Sequence, residues 1–261
     1  MNTFFGIIHY GEDTLIYNLI SSIELEDEDY IFILNHNLLN TLSFESSFIK
    51  TIHKASNLGF AIGMNFLINK AIELKFKNFI AINNDMVLKK RAAQNIKIRL
   101  EAKTILQGTL INEKGFVLSA RNLLAKNFYW VKSIDRHKKV KEISSEDTDF
   151  ICGGFFAIDL IGFKNRPILF DEDFFMYHED IEWSKRLKEE GYQFKVIRNA
   201  LAIHYESSAT GGKITRVGML YRWNSLLILL KKLDKSFFYN FISIILFVAR
   251  MLFAWIRYGF R

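Results

Sequence analysis

The sequence predicts an α/β domain with a mostly parallel central sheet and helices on both faces. Three observations predict it. Apolar runs of strand length alternate with amphipathic helical stretches, and the runs end in turn-like polar residues. The 261 residues are 50% hydrophobic and 24% charged, enough for one full core and incompatible with disorder or low complexity.

The elements follow in chain order. Phe4 to His9 reads as a strand, Gly11-Glu12-Asp13 as a turn and Thr14 to Ile23 as a helix. Tyr30 to Leu34 is a second strand, ending in Asn35-His36-Asn37, and Phe48 to Ile52 a third. A glycine-bearing turn from Asn57 to Asn65 opens a helix to Lys75, and Phe79 to Ile82 is a strand ending in Asn83-Asn84-Asp85. Next come a helix through about Lys103 and a strand from Thr104 to Ile111. A polar, basic segment runs from Lys132 to Lys141, and Thr148 to Ile158 reads as a buried strand interrupted by Gly153-Gly154. A helix starting at His178 or Glu179 stops at Gly191, and Phe194 to Ile203 is a strand ending at His204. Glu206 to Lys213 is the linker candidate, and two helices follow, about Val217 to Leu233 and Lys235 to Tyr258. The organisation expected is a main domain over 1–212 and a C-terminal helical extension over 213–261.

Charge is unevenly placed. The net charge is +7, yet from Lys213 onward nine Lys/Arg face Asp234 alone, leaving the first 212 residues at −1. A nucleic-acid groove across the main domain is therefore not expected. The single cysteine, Cys152, makes no internal disulfide and fits a reducing compartment. The first twenty residues carry no basic n-region and no long apolar run, so a secretory signal is not expected.

The densest candidate for chemistry is Phe170 to Glu182, where acids are threaded among Phe170, Phe174, Phe175, Met176 and Tyr177 at a helix start. Glu179, Asp180 and Glu182 complement a helix dipole, and Glu182 can pair with Arg186 at i,i+4. That explanation leaves Asp171, Glu172 and Asp173 unaccounted for. Apolar neighbours raise a carboxylate's pKa toward the range useful for proton abstraction. Asp85, past a strand end, can either cap the following helix or hold a divalent cation. His204 reads as a packed histidine or a metal ligand. The turn Asn57-Leu58-Gly59 through Gly63 and Asn65 can present backbone N–H groups to a phosphate, although it lacks the dinucleotide fingerprint and the phosphate-loop lysine.

Taken in order, these pieces resemble the inverting family 2 glycosyltransferases of the GT-A fold, with the closest resemblance to bacterial rhamnosyltransferases of O-antigen and cell-surface polysaccharide synthesis. The resemblance rests on Asn57, Gly59, Phe60, Gly63 and Asn65, then on Asn83 and Asp85 at a strand end, then on Cys152, Gly154 and Phe156. It continues through the block Phe170 to Glu182 and an alanine, Ala202 or Ala200, ahead of His204, covering about residues 3 to 232. It implies Asp180 as general base with Glu179 in support. It also implies a nucleotide-sugar donor held by His9, Asn35, Asn57, Gly59, Gly63, Asn83 and Asp85, and Mg²⁺ or Mn²⁺ on Asp85 and His204. The first choice of reaction is transfer of L-rhamnose from dTDP-rhamnose to a lipid-linked or growing glycan. A UDP-hexose or galactofuranose donor is the alternative within the class, and a non-catalytic membrane-bound scaffold the alternative outside it. Two departures stand out: Asn84 where the family has proline, and Asn35 where many relatives place an aspartate against the pyrimidine.

In the last helix Ser236, Asn240, Ser243, Arg250, Arg257 and Arg261 continue a polar stripe from Lys232, and apolar residues fill the rest of the wheel. This pattern suits a helix lying in an anionic membrane surface, which would place the protein peripherally at the cytoplasmic face of a bacterial plasma membrane. It suits an acceptor on a polyprenyl diphosphate. An oligomer interface and a membrane span, with Arg250 costing roughly 2.5–3.5 kcal/mol near its centre, are the other readings.

Overall fold

Apolar runs with little polar interruption become strands buried on both faces, and these set the frame. The computed structural model describes residues 2–37, 42–44, 46–54, 56–126, 129–143, 146–161, 169–205 and 215–258. The strands are β1 (Thr3–His9), β2 (Tyr30–Asn35), β3 (Ile49–His53), β4 (Asn78–Ile82), β5 (Met86–Leu88), β6 (Thr104–Ile111), β7 (Val117–Ser119), β8 (Asn122–Leu124), β9 (Val131–Ser133), β10 (Phe155–Asp159) and β11 (Gln193–His204). The helices are α1 (Asp13–Ser22), α2 (Gly59–Glu73), α3 (Ala92–Lys97), α4 (Glu179–Glu189), α5 (Arg216–Leu233) and α6 (Phe237–Tyr258).

Among the described residues nine strands form one sheet in the order β3-β2-β1-β4-β10-β6-β11-β5, with β7 on β6. The pairs β3–β2, β2–β1, β1–β4 and β6–β11 are parallel. The exceptions matter for the site. β10 runs antiparallel between β4 and β6, so its entry, Gly153-Gly154, lies at the edge where the parallel strands end, and Asn83 N donates to the Gly154 carbonyl at 2.8 Å. β5 runs antiparallel to the end of β11, with Met86 opposite His204.

Successive residues of each strand serve opposite layers. Phe4, Phe32, Phe79 and Phe156 belong to the core under α2 and α4, whereas Phe5, Ile33, Ile80 and Phe155 belong to the core on the side of α1 and α3. Phe4 stacks on Phe32 at 4.1 Å between ring centroids. The first core does not end with the sheet. It continues through Phe170 and Trp183, stacked at 4.5 Å, into Leu226, Leu229, Leu230 and Leu233 of α5 and Tyr239 and Phe247 of α6.

Two expectations are corrected. The strand expected over Thr148–Ile158 begins only at Phe155, because Thr148 Oγ1 donates to the Asn122 and Phe150 carbonyls and the Cys152 N–H to Gln107, which take the backbone out of the ladder. The helix expected to reach Lys103 ends at Lys97, and the chain turns into β6 through Lys103 at φ +57°. The linker expected at Glu206–Lys213 lies outside the described residues.

The polar stripe of α6 meets the protein body at Ser243 and Arg250. Ser243 is fully buried, accepting from Tyr129 N at 2.8 Å and donating to the Tyr239 carbonyl at 2.7 Å, and Arg250 lies over the Trp130 ring at 5.5 Å. Lys232 pairs with Asp171 and Asp173. The Arg257 side chain and Arg261 lie outside what is described. Phe237, Phe238, Phe253 and Ile256, all more than 60% exposed, form the outward face. Phe237–Ile256, with mean hydropathy 1.9, is long and apolar enough to cross a membrane.

Candidate active site

The chain runs from β1 outward to β2 and β3 and then crosses back to β4 on the other side of β1, and this reversal of strand order leaves a crevice at the strand ends. That crevice opens into a cavity of about 530 Å³ lined by Asn57, Gly59, Asn83, Asp85, Glu179, Asp180 and His204, with His36 and other residues named below. Three residues expected on the donor stand behind this lining. His9 is fully buried; the Asn84 amide donates to its Nδ1 at 2.9 Å and to the Tyr10 carbonyl at 3.0 Å. With Nδ1 accepting, the ring proton sits on Nε2, 3.0 Å from Asp13, and burial lowers the pKa of the imidazole against that carboxylate. Asn35 accepts from the Asn37 N–H at 2.9 Å and meets His53 Nδ1 at 3.2 Å. Gly63 allows α2 close to β1, since a Cβ there would stand 2.8 Å from Ile8 Cδ1. These residues shape the wall, and Asn84 pins it to β1.

The metal-ligand candidates come together through β5. Its pairing with β11 brings Asp85 against His204, and the Tyr205 N–H donates to the Asp85 carbonyl at 2.9 Å. Asp85 Oδ1 is buried and accepts no hydrogen bond among the described residues, while His204 Nε2 stands 3.3 Å away. An unsatisfied carboxylate oxygen beside an imidazole fits a divalent cation. Among the described residues no third His, Cys, Asp or Glu joins them. Such a set fits an ion that completes its shell with substrate phosphate and water.

The two long motifs turn out to bind each other. Asn65 on α2 accepts from the Phe170 N–H at 2.7 Å and donates to the Phe170 carbonyl at 2.9 Å and to Glu172 at 3.0 Å. The Phe60 N–H donates to the Phe175 carbonyl at 2.8 Å. Gly59, at φ +77°, admits that contact: a Cβ would lie 2.4 Å from the Phe175 oxygen. The glycine turn was expected to offer N–H groups to a phosphate. Instead Phe60 gives its N–H to Phe175 and Gly59 gives its own to Asn57 Oδ1 at 2.9 Å.

Docked this way, the acidic block sorts its carboxylates. Asp171 and Asp173 hold Lys232, Glu172 holds Asn65, and Glu182 takes Arg186 at 3.0 Å, the i,i+4 pair expected. Glu179 and Asp180 remain at the cavity. They are delivered by two consecutive non-glycine residues in the left-handed region, Tyr177 at φ 70° and His178 at φ 65°, a strained entry to α4. Asp180 Oδ2 is 3.4 Å from the Gly153 N–H, and Glu179 Oε2 is buried with no hydrogen-bond partner among the described residues. Burial raises both pKa values. Glu179 rises further because the Asp180 charge adds to burial, whereas backbone N–H groups hold Asp180 down. The pair therefore favours one shared charge near neutrality, on Asp180.

No family model and no curated protein matches the sequence. Among solved structures, GalNAc-T7 with UDP, GalNAc and Mn²⁺ superposes with a TM-score of 0.62 over 82% of this chain at 13% identity. This chain has the GT-A fold. The chain spans 46% of the length of that structure. S. aureus TarS 1-349 aligns with a TM-score of 0.47, 12% identity and coverage of 78% and 60%; A197 from STIV gives 0.46, 13%, 80% and 87%.

The GT-A cavity has a further wall built from the C-terminal helices. Arg222 and Met219 of α5, and Arg250, Met251 and Ala254 of α6, line it together with Arg136. The Arg222 guanidinium lies 3.9 Å from the centre of the Tyr177 ring. Among the described residues neither Arg222 nor Arg250 makes an ion pair. Burial and these two cations push the His178 imidazole down to about 3, so it stays neutral. The available signal was Arg250 itself, a cation within an otherwise apolar helical run. Cys152 also lines the cavity, with its thiol pushed up to about 12 by burial, and is no nucleophile at neutral pH.

Proposed function

We propose that the protein is a metal-dependent inverting glycosyltransferase that uses a nucleotide-sugar donor. The observation that carries this reading is the composition of one cavity: the unsatisfied Asp85 carboxylate with His204, and the Asp180–Glu179 pair. The GT-A fold supports the reading, because such a cleft at the strand ends suits a nucleotide.

The chemistry follows from the residues. Asp180, ionised and only partly shielded, accepts the proton of an acceptor hydroxyl as that oxygen attacks the anomeric carbon. The new glycosidic C–O bond forms as the bond to the leaving diphosphate breaks, and the diphosphate keeps the electron pair. Attack from the face opposite the diphosphate inverts the anomeric configuration. Glu179, protonated beside Asp180, keeps the second charge out of the pocket and leaves Asp180 as the acceptor of the proton. Asp85 and His204 would hold Mg²⁺ or Mn²⁺, which supplies charge neutralisation for the diphosphate. Asn57 and Asn83 offer amides to the donor from the cavity lining.

Within that class the reading extends to L-rhamnose from dTDP-rhamnose as donor and a polyprenyl-diphosphate-linked or growing cell-surface glycan as acceptor. It also places the protein peripherally at the cytoplasmic face of the membrane. The sequence motifs support the donor, and the exposed apolar face of α6 supports the membrane placement. A panel of nucleotide sugars with Mg²⁺ or Mn²⁺ tests it. Turnover with dTDP-rhamnose is expected; turnover only with a UDP-hexose or galactofuranose donor reassigns the sugar, and none with any donor removes the enzyme reading.

A further inference from the structure

Beside the cavity, between α5 and α6, lies a second and almost wholly apolar groove of about 540 Å³. Trp223, Phe247 and Leu252 help form it, and Arg216 is the charged residue at its rim. Met219 and Met251 line both the groove and the cavity, so the two spaces meet at these side chains. On the cavity side of that junction stand Arg222 and Arg250, each against an aromatic face and neither in an ion pair among the described residues. Leu220 and Leu252 on the walls are 56% and 51% exposed, so the groove is open to a ligand.

A ligand lying across the junction meets cations at one end and hydrocarbon at the other. Arginine forks suit phosphate oxygens, and polarizable methionine and tryptophan walls suit a flexible branched chain. We propose that the α5–α6 seam is the acceptor site for an isoprenoid diphosphate: Arg222 and Arg250 take the diphosphate, and the groove takes the first isoprene units. This rests on the glycosyltransferase reading for its purpose and deepens it by assigning residues to the acceptor. The geometry orients the acceptor, since a sugar carried on that diphosphate extends into the cavity that holds Asp180. A second copy of the chain or a bilayer surface would satisfy the apolar groove and leave the two arginines in the cavity unanswered.

Binding of farnesyl diphosphate to the full chain, in detergent-free buffer without vesicles or donor, tests the site. Quenching of tryptophan emission is a direct readout, since Trp223 and Trp255 line the groove. Saturable binding is expected, weakened at least ten-fold by Arg250→Gln and, independently, by Leu252→Asp, with both variants keeping the parent melting temperature. Inorganic pyrophosphate and farnesol should each bind at least ten-fold more weakly than farnesyl diphosphate. Equal binding of pyrophosphate would reduce the site to an anion site. Unchanged binding in Leu252→Asp, or loss of a dimer in that variant with farnesyl diphosphate binding intact, would overturn the groove assignment. Because no transfer is measured, failure here leaves the donor and base assignments standing, and failure of those leaves this binding result readable.

Discussion

The two ends of the acidic block behave in opposite ways. Asp171, Glu172 and Asp173 each end on a partner within the fold, Lys232 or Asn65, whereas Glu179 and Asp180 face the cavity with raised pKa values and, at Glu179 Oε2, no partner among the described residues. The same residue types within ten positions divide into braces and a reactive pair. What separates them is satisfaction. A carboxylate matched by a cation or an amide is finished structurally, and a buried one left unmatched is held for something else.

The largest effect expected is on turnover. Asp180→Asn should lower transfer by about 10²–10⁴-fold, the range for loss of a general base, while Asp171→Asn changes it by less than about two-fold. Similar losses in both would erase the division between the two ends. Next is the dock that holds the block. Gly59→Ala places a side chain at φ +77° against the Phe175 carbonyl and should cost about 1–3 kcal/mol in denaturant unfolding, with lower activity as the block shifts. An unaffected Gly59→Ala would mean that the contact is incidental.

A pH series separates the pair from the braces by sign. Burial raises the Glu179 pKa above its unfolded value, so the folded state favours the protonated form, and this contribution is lost as pH climbs from the ordinary carboxylate range through the raised pKa. Asp171 is the reverse case. Its pKa is lowered by Lys232 against the opposing effect of burial, so its contribution is present at neutral pH and lost on acidification below the ordinary carboxylate range. Glu179→Gln should therefore flatten the decline of melting temperature on the alkaline side, and Asp171→Asn should flatten it on the acid side. The smallest effect is expected at Lys232→Met, about 0–1 kcal/mol, because the brace it forms is partly exposed.

Much of this was legible in the sequence, and for identifiable reasons. β6 spans Thr104 to Ile111 as read, and α4 starts at Glu179, one of the two starts, His178 or Glu179, that the sequence offers. Asp85, His204, Glu179 and Asp180 stand at strand and helix ends where carboxylates and imidazoles can act, and the family resemblance is what implied their roles. What was not legible is who faces whom. The Phe175 carbonyl and Gly59 meet across more than a hundred residues, and no local pattern shows that the glycine turn serves the acidic block rather than a phosphate. β5 is three residues long, too short to stand out, yet its pairing is what brings Asp85 to His204. The periodicity of α6 reveals a stripe and says nothing about its neighbour. Ser243 faces inward to the Tyr129 N–H and Arg250 lies over the Trp130 face, while Tyr239 and Phe247 join the core and Phe237, Phe238, Phe253 and Ile256 stay outside.

The central claim is that two carboxylates of one cavity have separate work, Asp85 with the donor diphosphate and its metal, Asp180 with the acceptor proton. It is tested most directly by the melting temperature of the parent protein, Asp85→Asn and Asp180→Asn, each with dTDP or UDP and with or without Mn²⁺. The account predicts a nucleotide-induced rise that requires Mn²⁺ in the parent, disappears in Asp85→Asn and persists in Asp180→Asn. A rise independent of the metal, or the same response in both variants, would contradict it.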